Sequence, residues 1–159
     1  MASLPGVRLV IVGSGPAEAA IRRAVPAALY LGQRGGDQLA SIYASLDVFV
    51  HSGPHDTFGQ TLQEAAASGL PVVAPAAGGP LDLVRDGTTG FLVAPGSAAA
   101  LAAAVERLAA DPALCRAQGQ AGRQMVAGRT WAALCDELIG HYADVLTWGQ
   151  PAEREAVAA

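Results

Sequence analysis

Short apolar runs alternate with helical patterns along the first two thirds of the chain. Five of these runs are bounded by glycine, proline or polar residues: VRLVIVG, AALYLG, LDVFVH, LPVVAP and GFLVAP. Runs of this kind are typical of strands that are covered on both faces, as in a parallel sheet. Helical patterns lie between them, at 38–45, at 57–68 and, more weakly, at 81–85. Strand alternating with helix predicts a right-handed βαβ arrangement.

Beyond GFLVAP the pattern becomes helical. Leu101, Val105 and Leu108 have helical spacing, and another helix is predicted to begin near Leu114. A third apolar helical face is traced by Trp131, Leu134, Cys135, Leu138, Ile139, Tyr142 and Leu146. We therefore expect one α/β domain over residues 1–148, with a parallel sheet of five strands, flanking helices and a helical C-terminal tail. We expect residues 149–159 to be frayed.

Composition narrows the classes of function. The chain has 159 residues, 52% of them apolar, which is enough for one globular core. Its net charge of -4 and its 15% of charged residues argue against nucleic-acid binding. It contains no lysine, which excludes a phosphate-binding or Schiff-base lysine within it. Two cysteines without a CxxC pattern predict neither a disulfide framework nor a zinc site, and favour a reducing cytoplasm.

The turn GSGP, from Gly13 to Pro16, resembles the start of a dinucleotide fingerprint. The third glycine of that fingerprint is replaced by Glu18, and no acidic residue follows the second strand at the required spacing. A tight strand-to-helix turn is the better interpretation. A dinucleotide-dependent oxidoreductase stays as a weaker alternative that rests on this turn alone.

The stretch DTFGQ predicts the start of a helix. Residues 57–60 read T-x-x-Q, a capping box, so Thr57 is the expected N-cap. Free backbone N–H groups around Phe58 to Gln60, at the positive end of the helix dipole, would then favour an anion. Gly59 has no side chain and leaves the anion room to approach.

Two carboxylates flank this helix start. Asp56 precedes it, and Glu64 lies about 10 Å further along the helix axis than Thr57. Each carboxylate can accept hydrogen bonds from a pair of vicinal hydroxyls, and a nucleotide diphosphate sugar carries two such diols around its diphosphate. The simpler interpretation is equally open: Asp56 only favours the helix start, and Glu64 is a solvated surface residue.

The segment HSGPHDTFGQTLQEAAASGLPVVAPAAGGPLDLVRDGTTGFLV resembles the signature region of retaining family-4 glycosyltransferases of the GT-B fold. The resemblance rests on Asp56 followed after seven residues by Glu64, on the G-x-P-V-V run, and on the turn at Gly78 and Gly79. LYLGQRGGDQLASIYASLDVFVHSG upstream also matches, so the resemblance covers residues 5–148. FGQTLQEAAASG and APAAGGPLDLV most resemble bacterial GDP-mannose-dependent α-mannosyltransferases.

The resemblance implies a Rossmann-like, donor-binding C-terminal half of a GT-B enzyme. In the family, the first acid, here Asp56, contacts the donor hexose, and Glu64 would bind the ribose diol. Backbone amides of 59–62 would hold the diphosphate, and the 28–34 loop would contact the base. The candidate catalytic residues are Asp56 and Glu64. The candidate substrate-binding residues are Ala28, Tyr30, Gly32, His55, Phe58, Gly59, Gln60, Thr61 and Leu62. His51 and His55 alone do not predict a metal site.

Two departures from the family pattern stand out. Asp56 replaces the usual glutamate and shortens the reach by one methylene. The Arg/Lys pair that neutralises the diphosphate lies on a strand-loop-helix unit before the equivalent of Pro5. We expect that unit and the acceptor-binding N-terminal domain to be missing from this chain, and we therefore expect the chain alone to be inactive.

The resemblance implies that mannose is transferred from GDP-mannose, with retention, to a lipid or glycan acceptor. It implies no cofactor, no metal and no nucleic-acid partner. The expected location is the cytoplasm, with contact to the inner face of the membrane through the missing domain. Two alternatives are a family-4 enzyme that uses a UDP-sugar, and a truncated nucleotide-binding module without turnover.

Overall fold

The structure is a computed structural model that describes residues 4–53, 55–56 and 58–148. The strands are β1 (Val10–Val12), β2 (Leu29–Gly32), β3 (Phe49–Val50), β4 (Val72–Pro75) and β5 (Gly90–Val93). The helices are α1 (Glu18–Ala24), α2 (Gly36–Ala44), α3 (Gln60–Ala67), α4 (Pro80–Leu83), α5 (Ala98–Ala110), α6 (Pro112–Val126) and α7 (Trp131–Thr147). All five predicted strands are confirmed. The predicted fraying of 149–159 and the predicted cap at Thr57 lie outside the described residues.

The strands are parallel but form two sheets rather than the one sheet of five strands expected. β1 pairs with β2, and β3, β4 and β5 pair in that order. Within the described residues, no strand joins β1 to β3. Because the βαβ pattern in a sequence fixes strand direction but not strand neighbours, it could not predict this division.

β4 lies at the centre of the three-stranded sheet and is buried along its whole length. Successive side chains of a strand point to opposite faces of a sheet. Val72 and Ala74 accordingly join an apolar cluster with Tyr43 of α2 and Leu62 of α3, whereas Val73 joins a cluster with residues of α5. Helices therefore cover both faces of this sheet, as the continuous apolar run LPVVAP predicts.

Polar side chains fix where the C-terminal helices begin. The Ser97 hydroxyl accepts a hydrogen bond from the Ala100 N–H at the start of α5, and the Thr130 hydroxyl does the same for Ala133 in α7. The Asp111 carboxylate accepts hydrogen bonds from two N–H groups of α6. The described residues fall into two compact units that divide after Val126, so that α7 belongs to the second unit. Within the described parts of the chain, no helix is long and apolar enough to cross a membrane.

α6 packs closely against α3 and the turn that follows it, because α6 carries two glycines on that side. A Cβ atom added at Gly119 would collide with the backbone carbonyl of Gly69, whereas one added at Gly122 would meet the Ala66 Cβ at an ordinary 3.6 Å. Gln118 is buried beside them and donates a hydrogen bond from Nε2 to the Gly87 carbonyl oxygen (3.1 Å). The position of α3 therefore depends on the absence of a side chain at 119.

We expect Gly119→Ala to destabilise the protein by about 2 kcal/mol, because the new methyl group has to displace backbone rather than a flexible side chain. The matched change Gly122→Ala gains the same helix propensity without the collision, and it should be neutral or stabilising by up to about 1 kcal/mol. Urea unfolding followed by circular dichroism measures both. Equal free energies of unfolding for the two variants would contradict the assigned contact.

Candidate functional site

The helix that carries Glu64 begins later than predicted. α3 begins at Gln60, three residues after the expected start at Thr57. The residue before it, Gly59, has a left-handed backbone (φ 69°), which ends the helix there. The Asp56 Oδ1 atom accepts hydrogen bonds from the N–H groups of Phe58 (3.1 Å) and Gly59 (2.7 Å). These bonds tie Asp56 to Phe58 and Gly59 ahead of the helix, so Phe58 and Gly59 lie outside α3 although the sequence pattern predicts them within it.

This turn changes which backbone donors can meet an anion. The Gly59 N–H is bonded to Asp56, and the Leu62 N–H donates to the Gly59 carbonyl oxygen (3.0 Å). The N–H groups of Gln60 and Thr61 belong to the first helical turn and have no acceptor within the helix. They also lie at the positive end of the helix dipole. The candidate diphosphate contacts therefore centre on Gln60 and Thr61.

Asp56 also connects the loops that follow β3 and β4. Its carbonyl oxygen accepts a hydrogen bond from the Gly79 N–H (2.8 Å), and a Cβ atom at Gly79 would lie only 3.2 Å from that oxygen. The Asp56 Oδ2 atom lies 3.7 Å from Nε2 of His51, at the end of β3. Because the carboxyl ends of parallel strands share one edge of the sheet, both loops lie at the edge where α/β proteins bind ligands.

Glu64 lies one helical turn beyond Gln60, whose Nε2 is 3.4 Å from the Glu64 Oε1 atom. On its other side is Tyr43 of α2, which is 6% exposed. Burial raises the pKa of the Tyr43 phenol, and the negative charge of Glu64 raises it further. Tyr43 is not a candidate from the sequence, because its spacing from Leu39 and Leu46 indicates only an apolar helix face.

The candidate base loop, 28–34, lies on the β1–β2 sheet rather than on the three-stranded sheet against which α3 packs. The Tyr30 hydroxyl donates to the Val25 carbonyl oxygen (2.9 Å), and the Arg22 guanidinium lies over its ring, so this side chain is engaged within the protein. The Gly32 carbonyl oxygen accepts a hydrogen bond from the Gly13 N–H (2.8 Å). The GSGP turn therefore lies directly beside this loop.

The remaining candidates differ in their surroundings. Ala28 is half-buried, and its N–H donates to the Val25 carbonyl oxygen (3.2 Å). His55 and Phe58 are exposed on the loop before α3. Within the described residues, no group of three or more His, Cys, Asp or Glu side chains could hold a metal ion.

Comparison with known proteins identifies the family. The family of group 1 glycosyl transferases matches residues 2–111. The chain belongs to the group 1 glycosyltransferases. Among its relatives, a GDP-mannose-dependent alpha-mannosyltransferase from Mycolicibacterium smegmatis is 50% identical over 147 residues, which are 92% of this chain and 38% of that protein. The chain thus spans well under half the length of this group 1 relative.

Solved structures agree with this assignment. Sucrose-phosphate synthase from Thermosynechococcus elongatus is 31% identical with a TM-score of 0.81, over 92% of this chain and 40% of that one. The C-terminal domain of a group 1 glycosyltransferase from Francisella tularensis is 25% identical with a TM-score of 0.68, over 76% of this chain and 68% of that one. This group 1 glycosyltransferase chain has the fold of GT-B enzymes, as its sequence implied.

The raised pKa of Tyr43 predicts how the stability of this glycosyltransferase chain depends on pH. Above pH 10, an unfolded tyrosine loses its proton while the folded Tyr43 keeps it, so the stabilisation present below about pH 10 is lost as pH rises. Between pH 10 and 11, we expect the free energy of unfolding of wild type to fall more steeply than that of Tyr43→Phe, by up to about 1.4 kcal/mol per pH unit.

The control for this measurement is Tyr142→Phe, because Tyr142 is 62% exposed. The free energy of unfolding of Tyr142→Phe, measured with urea, should depend on pH in the same way as that of wild type. Parallel profiles for wild type and Tyr43→Phe over this range would contradict the buried, Glu64-facing position of the Tyr43 phenol.

Proposed function

We propose that this chain is the donor-binding half of a transferase that moves mannose from GDP-mannose, with retention, to a lipid or glycan acceptor. One observation carries the proposal: α3 presents the N–H groups of Gln60 and Thr61 at its start and the Glu64 carboxylate one turn later. The relative at 50% identity is a GDP-mannose-dependent alpha-mannosyltransferase, which supports this choice of donor.

Each part of the donor has a matching group in this arrangement. The diphosphate lies at the start of α3, where two backbone donors and the helix dipole favour negative charge. Glu64 accepts hydrogen bonds from the ribose diol, and the remaining Asp56 oxygen, Oδ2, accepts from hexose hydroxyls. Charge builds on the diphosphate as the sugar leaves. Fixed dipoles of this kind stabilise that charge without having to reorganise during the reaction.

The division of the strands into two sheets supports the proposal that a further strand-helix unit belongs to this half. A doubly wound sheet of this type has the strand order 3-2-1-4-5-6. The observed order β2–β1 fits strands 3 and 2, and β3–β4–β5 fits strands 4, 5 and 6. Strand 1 would lie between β1 and β3. Together with the acceptor-binding domain, that unit would come from the rest of a longer protein and would carry the Arg/Lys pair.

Under this proposal, the identity of the acceptor is determined by the rest of the longer protein rather than by these residues. Under this proposal the longer protein works in the cytoplasm, at the inner face of a membrane when its acceptor is a lipid. The leaving group is the nucleotide diphosphate of the donor itself, so the proposal includes no further cofactor.

We expect calorimetric titration of the chain to give tighter binding of GDP than of UDP or ADP. Glu64→Ala should weaken GDP binding about tenfold or more, because it removes a charged acceptor for the ribose diol. Glu106→Ala is the matched control, because Glu106 is an exposed glutamate on α5, outside the site. It should bind GDP like wild type.

Other outcomes have definite meanings. A preference for UDP would overturn the choice of GDP-mannose and favour a UDP-sugar donor on the same fold. If none of the three nucleotides binds, the titration is repeated with a chain extended upstream by the rest of its reading frame. Binding only by the extended chain would support the missing strand-helix unit, and its absence there too would overturn the donor-site proposal.

A further inference from the structure

His51 has a buried ring nitrogen that the proposed reaction does not use. Its backbone N–H pairs with the Val73 carbonyl oxygen (2.9 Å), which fixes the residue at the end of β3. Its side chain is 18% exposed, and Nε2 is buried without a hydrogen-bond partner among the described residues. A buried polar atom in this state costs free energy unless a partner comes within reach.

Asp56 is the group that His51 faces. The Nε2 atom lies 3.7 Å from Asp56 Oδ2, which is too long for a hydrogen bond and about 0.8 Å beyond a good one. Hydrogen bonds at catalytic sites are often long in the free protein and shorten in the complex with substrate. The backbone of Gly53 lies beside the ring: a Cβ atom there would be 3.4 Å from Nε2.

The two oxygens of Asp56 have different tasks. Oδ1 accepts two backbone N–H bonds, from Phe58 and Gly59, and these bonds hold the turn before α3. Oδ2 is the oxygen that faces His51, and the side chain as a whole is 23% exposed. A hydrogen bond from Nε2 to Oδ2 would fix the rotation of the carboxylate about its own axis. The remaining lone pair of Oδ2 would then point in one direction.

We infer that His51 is a positioning residue that orients the Asp56 carboxylate toward the donor sugar. This inference rests on the proposed function, in which Oδ2 accepts from hexose hydroxyls and the start of α3 holds the diphosphate. His51 should therefore matter for the sugar part of the donor and not for its nucleotide part. A residue that only stabilised the loop would affect both parts equally, because the same turn leads into the diphosphate site.

The test compares GDP-mannose with GDP by calorimetric titration of the full chain. His51→Leu removes the donor nitrogen and should weaken GDP-mannose binding about 5- to 10-fold, while GDP binding changes less than about 2-fold. His51→Gln keeps an N–H donor at the position of Nε2 and should restore GDP-mannose binding. His141→Leu, an exposed histidine of α7, is the control and should match wild type for both ligands.

Three results would overturn the inference: equal losses for GDP-mannose and GDP, no loss for either, or no rescue by His51→Gln. If circular dichroism shows His51→Leu unfolded, His51→Asn replaces it, because its short amide reaches the position of Nδ1 and not that of Nε2. The same losses and rescue are then expected.

A measurement without ligand separates this inference from the proposed function. The ¹⁵N signal of His51 Nε2 should shift in Asp56→Asn, since the charged acceptor is lost, and should stay unchanged in Glu64→Ala. If neither the chain nor its upstream-extended form binds GDP or GDP-mannose, the proposed function fails, and the sugar-orienting role of His51 fails with it. If wild type binds both ligands but the ¹⁵N signal of His51 Nε2 does not change in Asp56→Asn, only the inference about His51 fails.

Discussion

The close contact between α6 and the end of α3 is the constraint on which the rest of the site depends. It exists because Gly119 has no side chain, which lets α6 lie against the Gly69 carbonyl. α3 is held between α6 and the sheet through its buried face, formed by Leu62, Ala65 and Ala66. Once that face is fixed, the helical repeat turns Glu64 toward Gln60 and Tyr43 instead of toward the core.

The start of α3 is held by separate contacts, which are made by backbone groups and the Asp56 carboxylate rather than by apolar packing alone. Gly59 takes the left-handed conformation, and a Cβ atom there would also collide with Leu83 of α4. Asp56 holds the turn through its side chain and holds Gly79 through its carbonyl oxygen. The loops after β3 and β4 thus form one surface at the carboxyl edge of the sheet.

Much of the fold could be predicted from the sequence, because the signals that define its elements are local. Glycine, proline or polar residues mark the ends of all five apolar runs, and the run LPVVAP indicates a strand buried on both faces. The start of α3 could not be placed in this way. T-x-x-Q at 57–60 predicts helix from Phe58 onward, but the Asp56 carboxylate accepts from the N–H groups of Phe58 and Gly59 and Gly59 is left-handed, so α3 begins at Gln60.

Features that depend on pairs of distant elements were not predictable from spacing. Tyr43 and Glu64 meet because α2 and α3 share one apolar cluster, and nothing in either helix specifies that meeting. The division into two sheets is of the same kind, since strand order depends on which edges come together. Candidates chosen by resemblance, such as Glu64, could be identified from their position in a motif alone. The proximity of Tyr43 to Glu64 and of His51 to Asp56 could be seen only in the three-dimensional arrangement.

Aspartate at position 56 reaches less far than glutamate would, but its side chain is held more rigidly. Its short side chain lets Oδ1 accept from N–H groups two and three residues ahead, a geometry that suits aspartate because its carboxylate lies close to its own backbone. A glutamate has one more rotatable bond and would have to lose more conformational freedom to make the same bonds. A carboxylate already fixed by two backbone donors loses less entropy when a ligand binds. Aspartate in place of the family's usual glutamate is therefore compatible with the proposed donor site, in which the sugar approaches one methylene closer to the turn.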